Sequence, residues 1–214
     1  MKTLALLSGG KDSFLSAQIA MEQGYDVAAA LTVIPEEFSL MFHYPNAAKA
    51  EMVASLLGVP WSTTSEDKFA ETLEDYVKQG FKAITVGAIA SEYQKTRVEK
   101  LCTRLGIMSC IPLWRKDQKF ILKELQLRGI EAMIVSVSAE GFTENDLGRI
   151  IDEEYIEELE KKNSKYGINI SGEGGEYETF VVSARGMGEL EIRDSRKIWE
   201  GSHGYLLLED VVKK

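Results

Sequence analysis

Short apolar runs alternate with stretches of helical periodicity through most of the chain. The apolar runs predict buried strands over residues 3–7, 25–34, 83–86 and 131–137. Between them, apolar residues spaced for one helix face are closed by glycine, which predicts helices ending before Gly24, Gly58, Gly80, Gly106 and Gly129. Ser65, Ser91 and Asp117 are predicted to cap the third, fourth and fifth of these helices, respectively. Repeated βα units predict an α/β fold, a Rossmann-like parallel sheet with helices on both faces.

The pattern changes after about residue 139. Apolar residues at helical spacing predict one long helix over residues 143–162, with a buried stripe of Leu147, Ile151, Tyr155 and Leu159. Short β-forming runs follow at residues 179–183, 189–192 and 205–208, and they predict antiparallel strands. We therefore expect a first domain over residues 1–128 and a smaller α+β domain over residues 129–214.

Composition and charge limit the kinds of partner. The 214 residues are 44% hydrophobic, which is enough to bury a core. With 25 basic and 34 acidic residues the net charge is −9, which argues against direct nucleic-acid binding. The apolar stretches are shorter than the ~20 residues that span a bilayer, so no membrane partner is expected. Cys102 and Cys110 have neither zinc-site nor redox-pair spacing, and two reduced cysteines favour the cytoplasm.

The strongest motif lies between the first predicted strand and the first helix, and it reads Ser8-Gly9-Gly10-Lys11-Asp12-Ser13. In open parallel sheets, ligands bind beyond the carboxyl ends of the strands, and the first βα turn is a common place. The two glycines let the backbone approach an anion, while the lysine, the serine hydroxyl and the helix N-terminus attract it. The spacing matches neither a Walker A loop nor a dinucleotide-binding turn. These residues therefore predict a phosphate-binding loop of another type.

This loop resembles the PP-loop, S-G-G-x-D-S, of the N-type ATP pyrophosphatases, whose fold is of the adenine nucleotide alpha hydrolase type. The resemblance implies cleavage of ATP between its α and β phosphates, with Lys11 and Asp12 in catalytic roles and Mg²⁺ beside Asp12. Adenine is implied to lie at the end of the second strand. The residues implied to bind ATP are Ser8, Gly9, Gly10, Lys11, Ser13, Thr32 and Gly87.

Two further segments narrow the family. Residues 87–99 follow a predicted strand, and residues 172–179 read Gly-Glu-Gly-Gly-Glu-Tyr-Glu-Thr. Together with the first loop, they resemble the diphthine–ammonia ligase family from Leu4 to about Val182. The family joins ammonia to the carboxylate of diphthine, a modified histidine on translation elongation factor 2, and releases AMP and pyrophosphate. The resemblance implies an amide ligase that uses ATP and Mg²⁺, with elongation factor 2 and ammonium as its partners.

Residues in these segments are candidates for substrate recognition. Gly87 ends a strand, where a missing side chain lets a nucleotide or another backbone approach. Arg97 is placed to pair with a phosphate or carboxylate, or else with Glu92 or Glu99 in a surface ion pair. The acids of residues 172–179 suit magnesium, ammonia or the substrate's cation, or they form only a turn; Glu176 is expected to be catalytic. The expected substrate-binding residues are Ser91, Tyr93, Gln94, Arg97, Glu173, Gly174, Gly175, Glu176, Tyr177 and Thr179.

Other functions fit the same residues. One is a PP-loop enzyme acting on a different small-molecule acceptor, and another is an ATP-binding protein without turnover. A homodimer is compatible with each. His43 and His203 are expected on exposed loops, so no nucleophilic triad is indicated.

Overall fold

A five-stranded parallel sheet forms the centre of the first part of the chain. The structure is a computed structural model that describes residues 1–34 and 46–214. The strands are β1 Lys2–Leu6, β2 Asp26–Ile34, β3 Trp61–Ser65, β4 Ala83–Thr85 and β5 Met108–Cys110. The helices are α1 Lys11–Glu22, α2 Ala50–Leu57, α3 Phe69–Lys78 and α4 Glu92–Leu105, with a short 3-10 helix at Ala47–Lys49.

The strand order is β3-β2-β1-β4-β5, and every pair is parallel. The chain winds outward from β1 in both directions, and right-handed crossovers then put helices on both faces. The order reverses between β1 and β4, which is where ligands of such sheets bind. This architecture confirms the predicted Rossmann-like fold.

The core of this sheet is made of aliphatic residues on adjacent strands. Leu4, Leu31 and Ile84 are fully buried on β1, β2 and β4, and they pack with Leu73 of α3 and Val98 of α4. Burying side chains of this size stabilises the fold by about 1.5–3 kcal/mol each. The apolar runs that predicted the strands are therefore the residues that hold the sheet together.

Two strands of this sheet were missed by the sequence pattern. β3 is a polar edge strand that pairs with β2 alone, so it lacks the apolar run of a central strand. Ser65 is the last residue of β3 and its hydroxyl bonds to Asp67, so the prediction that it caps a helix is wrong. Helix α3 begins four residues later, at Phe69. β5 is three residues long and carries no clear periodicity.

The second part of the chain is a closed antiparallel barrel with two helices. Its strands are β6 Ile130–Val137, β7 Tyr177–Ala184, β8 Gly188–Glu200 and β9 His203–Lys213. Its helices are α5 Gln118–Arg128 and α6 Glu153–Tyr166, with a 3-10 helix at Glu144–Asp146. This arrangement agrees with the predicted α+β class. Nowhere in the described part of the chain is a helix long and apolar enough to cross a membrane.

The contacts divide the chain into the units Met1–Trp114 and Arg115–Lys214. The sequence pattern instead put the boundary after residue 128. It thus placed residues 131–137 in the second domain, although it counted them among the strands of the repeated βα units. In the structure that segment is β6, which pairs antiparallel with β7 and β9. Helix α5 belongs with the barrel unit because Gln126 donates to the carbonyl of Ile151 and Lys119 pairs with Glu160 on α6. An alternation of strands and helices along the sequence identifies these elements, but it does not identify which strands pair with each other.

The predicted helix over residues 143–162 is also wrong in its first half. Gly148 has a φ of 88° and ends the helical path, and the chain then runs along β6. Ile151 is buried because this segment lies along β6, where the amide of Ile151 donates to the carbonyl of Ala132 at 2.9 Å. It does not lie on a helix. Helix α6 starts only after Asp152, whose carboxylate accepts from the amide of Tyr155 at 2.8 Å.

A buried carboxylate fixes the segment before α6 against that helix. Asp146 accepts hydrogen bonds from the amide and the hydroxyl of Thr143, at 2.7 and 3.0 Å, and from the hydroxyl of Tyr155 at 2.8 Å. The ammonium of Lys162 lies 3.3 Å from the same carboxylate. Burial alone would raise the pKa of Asp146, but these donors and the lysine outweigh it and hold the pKa below its usual value.

We expect Tyr155→Phe to lower the free energy of unfolding by about 1–3 kcal/mol, because a buried charged acceptor loses a donor. A lowered carboxyl pKa adds stability above the pKa of the unfolded chain and loses it on acidification. The loss should therefore be full at neutral pH and shrink as the pH falls through the pKa of Asp146. Urea unfolding at neutral and acidic pH measures this, with Tyr166→Phe, an exposed position on α6, as the control. Equal losses at both pH values would contradict the assignment.

Candidate functional site

The loop from β1 to α1 is held in shape by its own serines. The hydroxyl of Ser13 donates to the carbonyl of Gly10 at 2.9 Å and accepts from the amide of Ser8 at 3.1 Å. The amide of Gly10 donates to the hydroxyl of Ser8 at 3.3 Å. Gly9 has a φ of 90°, which side chains rarely permit. These hydrogen bonds hold the loop in one conformation without a ligand, as expected for a phosphate-binding loop.

Helix α1 starts with its amides directed to this loop. Gly10, which has no side chain, is the N-cap residue and is extended. Lys11 and Asp12 form an ion pair of 2.7 Å in which the lysine is buried and the aspartate is partly exposed. Because the two side chains balance each other's charge, the helix N-terminus supplies the net attraction for an anion at this point.

Gly87 brings the end of β4 against this helix start. A Cβ at Gly87 would lie 2.6 Å from the amide nitrogen of Ser13 and 2.7 Å from the carbonyl carbon of Asp12. No side chain fits at such distances. The backbone that approaches Gly87 is thus the first turn of α1, and the binding of nucleotide by Gly87 stays a prediction.

Thr32, expected near the adenine, joins the strands beside the loop. Its hydroxyl donates to the carbonyl of Leu7 at 2.6 Å and accepts from the indole of Trp61 at 2.8 Å. The side chain is buried, and these contacts connect β2 to the end of β1 and to β3. Thr32 therefore sets the position of the strand ends, and contact of its side chain with adenine stays a prediction.

The residues predicted at the start of α4 lie on the surface of the first unit. Ser91 caps α4, because its hydroxyl accepts from the amide of Gln94 at 3.3 Å. The side chain of Tyr93 is 64% exposed. Arg97 forms an ion pair with Glu66, a different partner from Glu92 or Glu99. Arg97 therefore takes part in a surface ion pair, but the partners considered from the sequence were wrong. The role of these residues in substrate binding is still a prediction.

In the second unit, residues 172–179 form a turn that enters β7. The amide of Ser138 donates to the carbonyl of Glu176 at 2.9 Å, and the Ser138 hydroxyl donates to the carbonyl of Gly175 at 2.5 Å. The Glu176 carboxylate accepts from the amide of Asn169 at 2.8 Å. A Cβ at Gly174 would lie 2.7 Å from that carboxylate. The glycine thus leaves room for the acid.

Tyr177 and Thr179 point away from solvent. The ring of Tyr177 is 3% exposed, lies 5.8 Å from the ring of Phe142, and its hydroxyl donates to the carbonyl of Ile170 at 2.7 Å. Thr179 is buried on the same strand. Glu173 is half-buried in the preceding turn. Tyr177 therefore fixes the turn on the barrel, which is a positioning role, and direct contact of these side chains with a substrate stays a prediction.

Glu178 is the residue of this segment that sequence reasoning passed over. Burial raises the pKa of its carboxyl to about 7. Its Oε2 atom is buried and receives no hydrogen bond from the described residues. The available signal was the alternation of a strand, since Glu178 stands between the buried Tyr177 and Thr179 in the quoted motif.

The two histidines and two cysteines were not predicted to be site residues. His203 is exposed and pairs with Glu200, and His43 lies outside the described residues. Cys102 and Cys110 are free and buried, and burial raises the pKa of Cys102 to about 11. A thiol with that pKa is a poor nucleophile.

The sequence was compared with known families and proteins. The family model for the diphthamide synthase N-terminal domain matches residues 1–109, and the model for the C-terminal domain matches residues 117–213. The chain belongs to the diphthamide synthase family. The two matched domains correspond to the parallel-sheet unit and the barrel unit of the structure.

Relatives in this family carry the name diphthine–ammonia ligase. The human protein is 31% identical over 92% of this chain and 85% of its own length. The Schizosaccharomyces pombe protein is 31% identical over 100% of this chain, which spans 40% of that relative, and the Saccharomyces cerevisiae protein is 30% identical over 100% of this chain, which spans 35% of it. The solved structure of PH1313 from Pyrococcus horikoshii Ot3 aligns with 60% of this chain and 40% of its own at 17% identity, with a TM-score of 0.42 that supports no conclusion.

Gly87→Ala is expected to displace the first turn of α1 and weaken ATP binding by about tenfold or more, because its Cβ would collide with backbone. The measurement is ATP affinity by calorimetry together with the melting temperature. Gly58→Ala is the matched control, since it costs about 1–2 kcal/mol through its positive φ but meets no atom within 4 Å. Equal ATP affinity in both variants would show that the Gly87 contact does not shape the loop.

Proposed function

We propose that this protein is an ATP-dependent amide ligase that adenylates the carboxylate of diphthine on translation elongation factor 2, so that ammonia displaces AMP and forms diphthamide. The observation that carries the proposal is the preformed loop of Ser8 to Ser13 at the start of α1, in a chain matched by both domains of the diphthamide synthase family. Elongation factor 2 works in the cytoplasm, and we place this protein there.

The loop fits the phosphates of ATP. Gly9 and Gly10 have no side chains to block access to the backbone, and they are followed by the N-terminus of a helix of twelve residues. The loop lies at the reversal of the strand order, where the carboxyl ends of β1 and β4 meet. Backbone amides fixed before the reaction stabilise charge on a leaving pyrophosphate without reorganisation. The hydroxyls of Ser8 and Ser13 hold those amides in place.

Asp12 fits a magnesium ion carried by ATP. Magnesium in nucleotide sites usually takes one or two carboxylates, and the phosphates and water fill the other positions. No cluster of three or more acids, histidines or cysteines suited to a metal occurs in residues 1–34 and 46–214, so a cage made of protein ligands alone is not expected. When bound, the ion would neutralise charge on the phosphates. In its presence Lys11, now paired with Asp12, would be available to a phosphate oxygen.

We assign recognition of the protein substrate to the turn of residues 172–179 in the barrel unit. The Glu176 carboxylate is placed by Asn169 and Gly174, and one of its oxygens, Oε2, receives no hydrogen bond from the described residues. Diphthine carries a positive trimethylammonium group beside its carboxylate. A carboxylate attracts such a group through charge alone, because quaternary ammonium donates no N–H hydrogen bond.

The reaction should yield AMP and pyrophosphate without ADP, because the loop lacks the Walker spacing that presents the terminal phosphate. Asp12→Asn should lower the rate of AMP release by about 10²–10³, as loss of one preorganised group at a developing charge typically does. The assay follows nucleotide products and the mass of diphthine-bearing elongation factor 2 in the presence of ammonium. Asp26→Asn, at the exposed start of β2, is the control. Formation of ADP in stoichiometric amounts would contradict the proposal.

Two neighbouring variants separate recognition from stability in the turn. Glu176→Gln should raise the KM for the protein substrate while ATP affinity and melting temperature stay near wild type. Tyr177→Phe should leave that KM unchanged and lower stability by about 1 kcal/mol, because the carbonyl of Ile170 loses its donor. Substrate kinetics and melting temperature are measured on both proteins. A stability loss without a kinetic effect in Glu176→Gln would reduce the turn to a structural element.

A further inference from the structure

A row of three polar side chains crosses the barrel at Glu178. On β7, Glu178 is the direct partner of Ser136 on β6, and Ser136 is in turn the partner of Tyr205 on β9. Directly opposed residues point to the same face of a sheet, with Cβ atoms about 4.5–5.5 Å apart. The row ends on β8 at Ile198, the partner of Tyr205. One carboxyl and two hydroxyls therefore share one face, next to an apolar side chain.

The carboxyl in this row is not satisfied by the described residues. The Oε2 atom of Glu178 is buried, and no donor of those residues reaches it. A buried acceptor without a donor costs about 1–3 kcal/mol, so such atoms call for a specific explanation. In the same unit, Asp146 shows the structural alternative, because two hydroxyls, an amide and a lysine surround it. The Oε2 atom of Glu178 has the opposite environment, because none of these kinds of donor reaches it from the described residues.

We propose that Glu178, with the hydroxyl of Ser136 beside it and that of Tyr205 next along the row, is the binding site for the nitrogen substrate, an ammonium ion. The proposal rests on the amide-ligase function proposed above and names a residue for its second substrate. The ionised carboxylate holds the cation through a charge-assisted N–H···O hydrogen bond. The two hydroxyls offer further acceptors within the same row.

The chemistry of the row selects ammonium over the other cations of the reaction. An acceptor that lacks a donor needs an N–H or O–H group, and ammonium has four N–H bonds. The trimethylammonium of diphthine has none, so it suits Glu176 instead, whose carboxylate already accepts a hydrogen bond from the amide of Asn169. Magnesium prefers several carboxylate or phosphate oxygens in octahedral geometry, and a single carboxylate with two hydroxyls supplies little of that.

The state of Glu178 makes ammonium binding depend on pH. Burial holds the pKa of this carboxyl at about 7, and only the ionised form accepts the hydrogen bond. The other members of the row are the hydroxyl of Ser136, the phenol of Tyr205 and the apolar Ile198, so Tyr205 is the one further titratable group there. Affinity for ammonium should therefore rise as the pH increases through 7. In Glu178→Gln this dependence should disappear.

The test compares two nitrogen nucleophiles in the AMP-release assay on the full chain. Glu178→Gln should raise the KM for ammonium by about tenfold or more, because a hydrogen bond to a charged group is lost. The KM for ATP should not change. Hydroxylamine, which is largely uncharged at neutral pH, should support similar rates in the wild type and in this variant. Glu131→Gln, an exposed glutamate on β6, is the charge-matched control and should behave as wild type.

Further measurements make each result decisive. An unchanged ammonium KM, or an equal loss with both nucleophiles in a variant that melts as wild type, overturns the proposal. If Glu178→Gln fails to fold, Ser136→Ala and Tyr205→Phe replace it, and both must raise the ammonium KM selectively. If the wild type releases no AMP with either nucleophile, the amide-ligase function fails instead. The ammonium site is then judged by melting temperature, which ammonium chloride but not tetramethylammonium chloride should raise in the wild type and not in Glu178→Gln.

Discussion

The contact between the backbone of Gly87 and the first turn of α1 is the constraint on which the nucleotide region depends. It leaves no space for a side chain, so the start of α1 is held against the end of β4. The loop after β1 is thereby placed at the reversal of the strand order, beyond the carboxyl end of β1. The serine hydroxyls then have only to keep the loop in shape, and Thr32 keeps the neighbouring strand ends together.

The barrel unit contains two buried carboxyls whose surroundings are opposite. Asp146 is surrounded by donors, its pKa is lowered, and it fastens the segment before α6 to the helix. Glu178 is half-buried, its enclosed Oε2 atom has no donor from the described residues, and burial raises the pKa of its carboxyl to about 7. Environments that push two acids in opposite directions are a common way to separate a structural group from a reacting one. We therefore treat Asp146 as part of the framework of the barrel unit and Glu178 as the proposed ammonium-binding residue of that unit.

Much of the candidate site was open to prediction from the sequence because it depends on local geometry. The phosphate loop requires two glycines and two serines within six residues, and the hydrogen bonds that hold its shape join these residues to one another. The caps at Ser91 and Asp117 are likewise short-range and were predicted correctly. By contrast, the partner of Arg97 is Glu66, 31 positions away in the chain, and no local pattern identifies such a pair.

By itself, the sequence determined the central strands and most helices of the parallel sheet, the phosphate loop, and the family. Buried strands need continuous apolar runs, and helices need apolar residues that repeat on one face. Both patterns can be recognised within a short stretch of the sequence. Only the tertiary structure decided that residues 130–137 join a barrel, that Gly148 ends a predicted helix, and that Tyr177 is buried while Glu178 is left without a donor. The reason is physical: strand pairing and the hydrogen-bond partners of a buried group depend on residues that are distant in the chain, and folding alone brings them together.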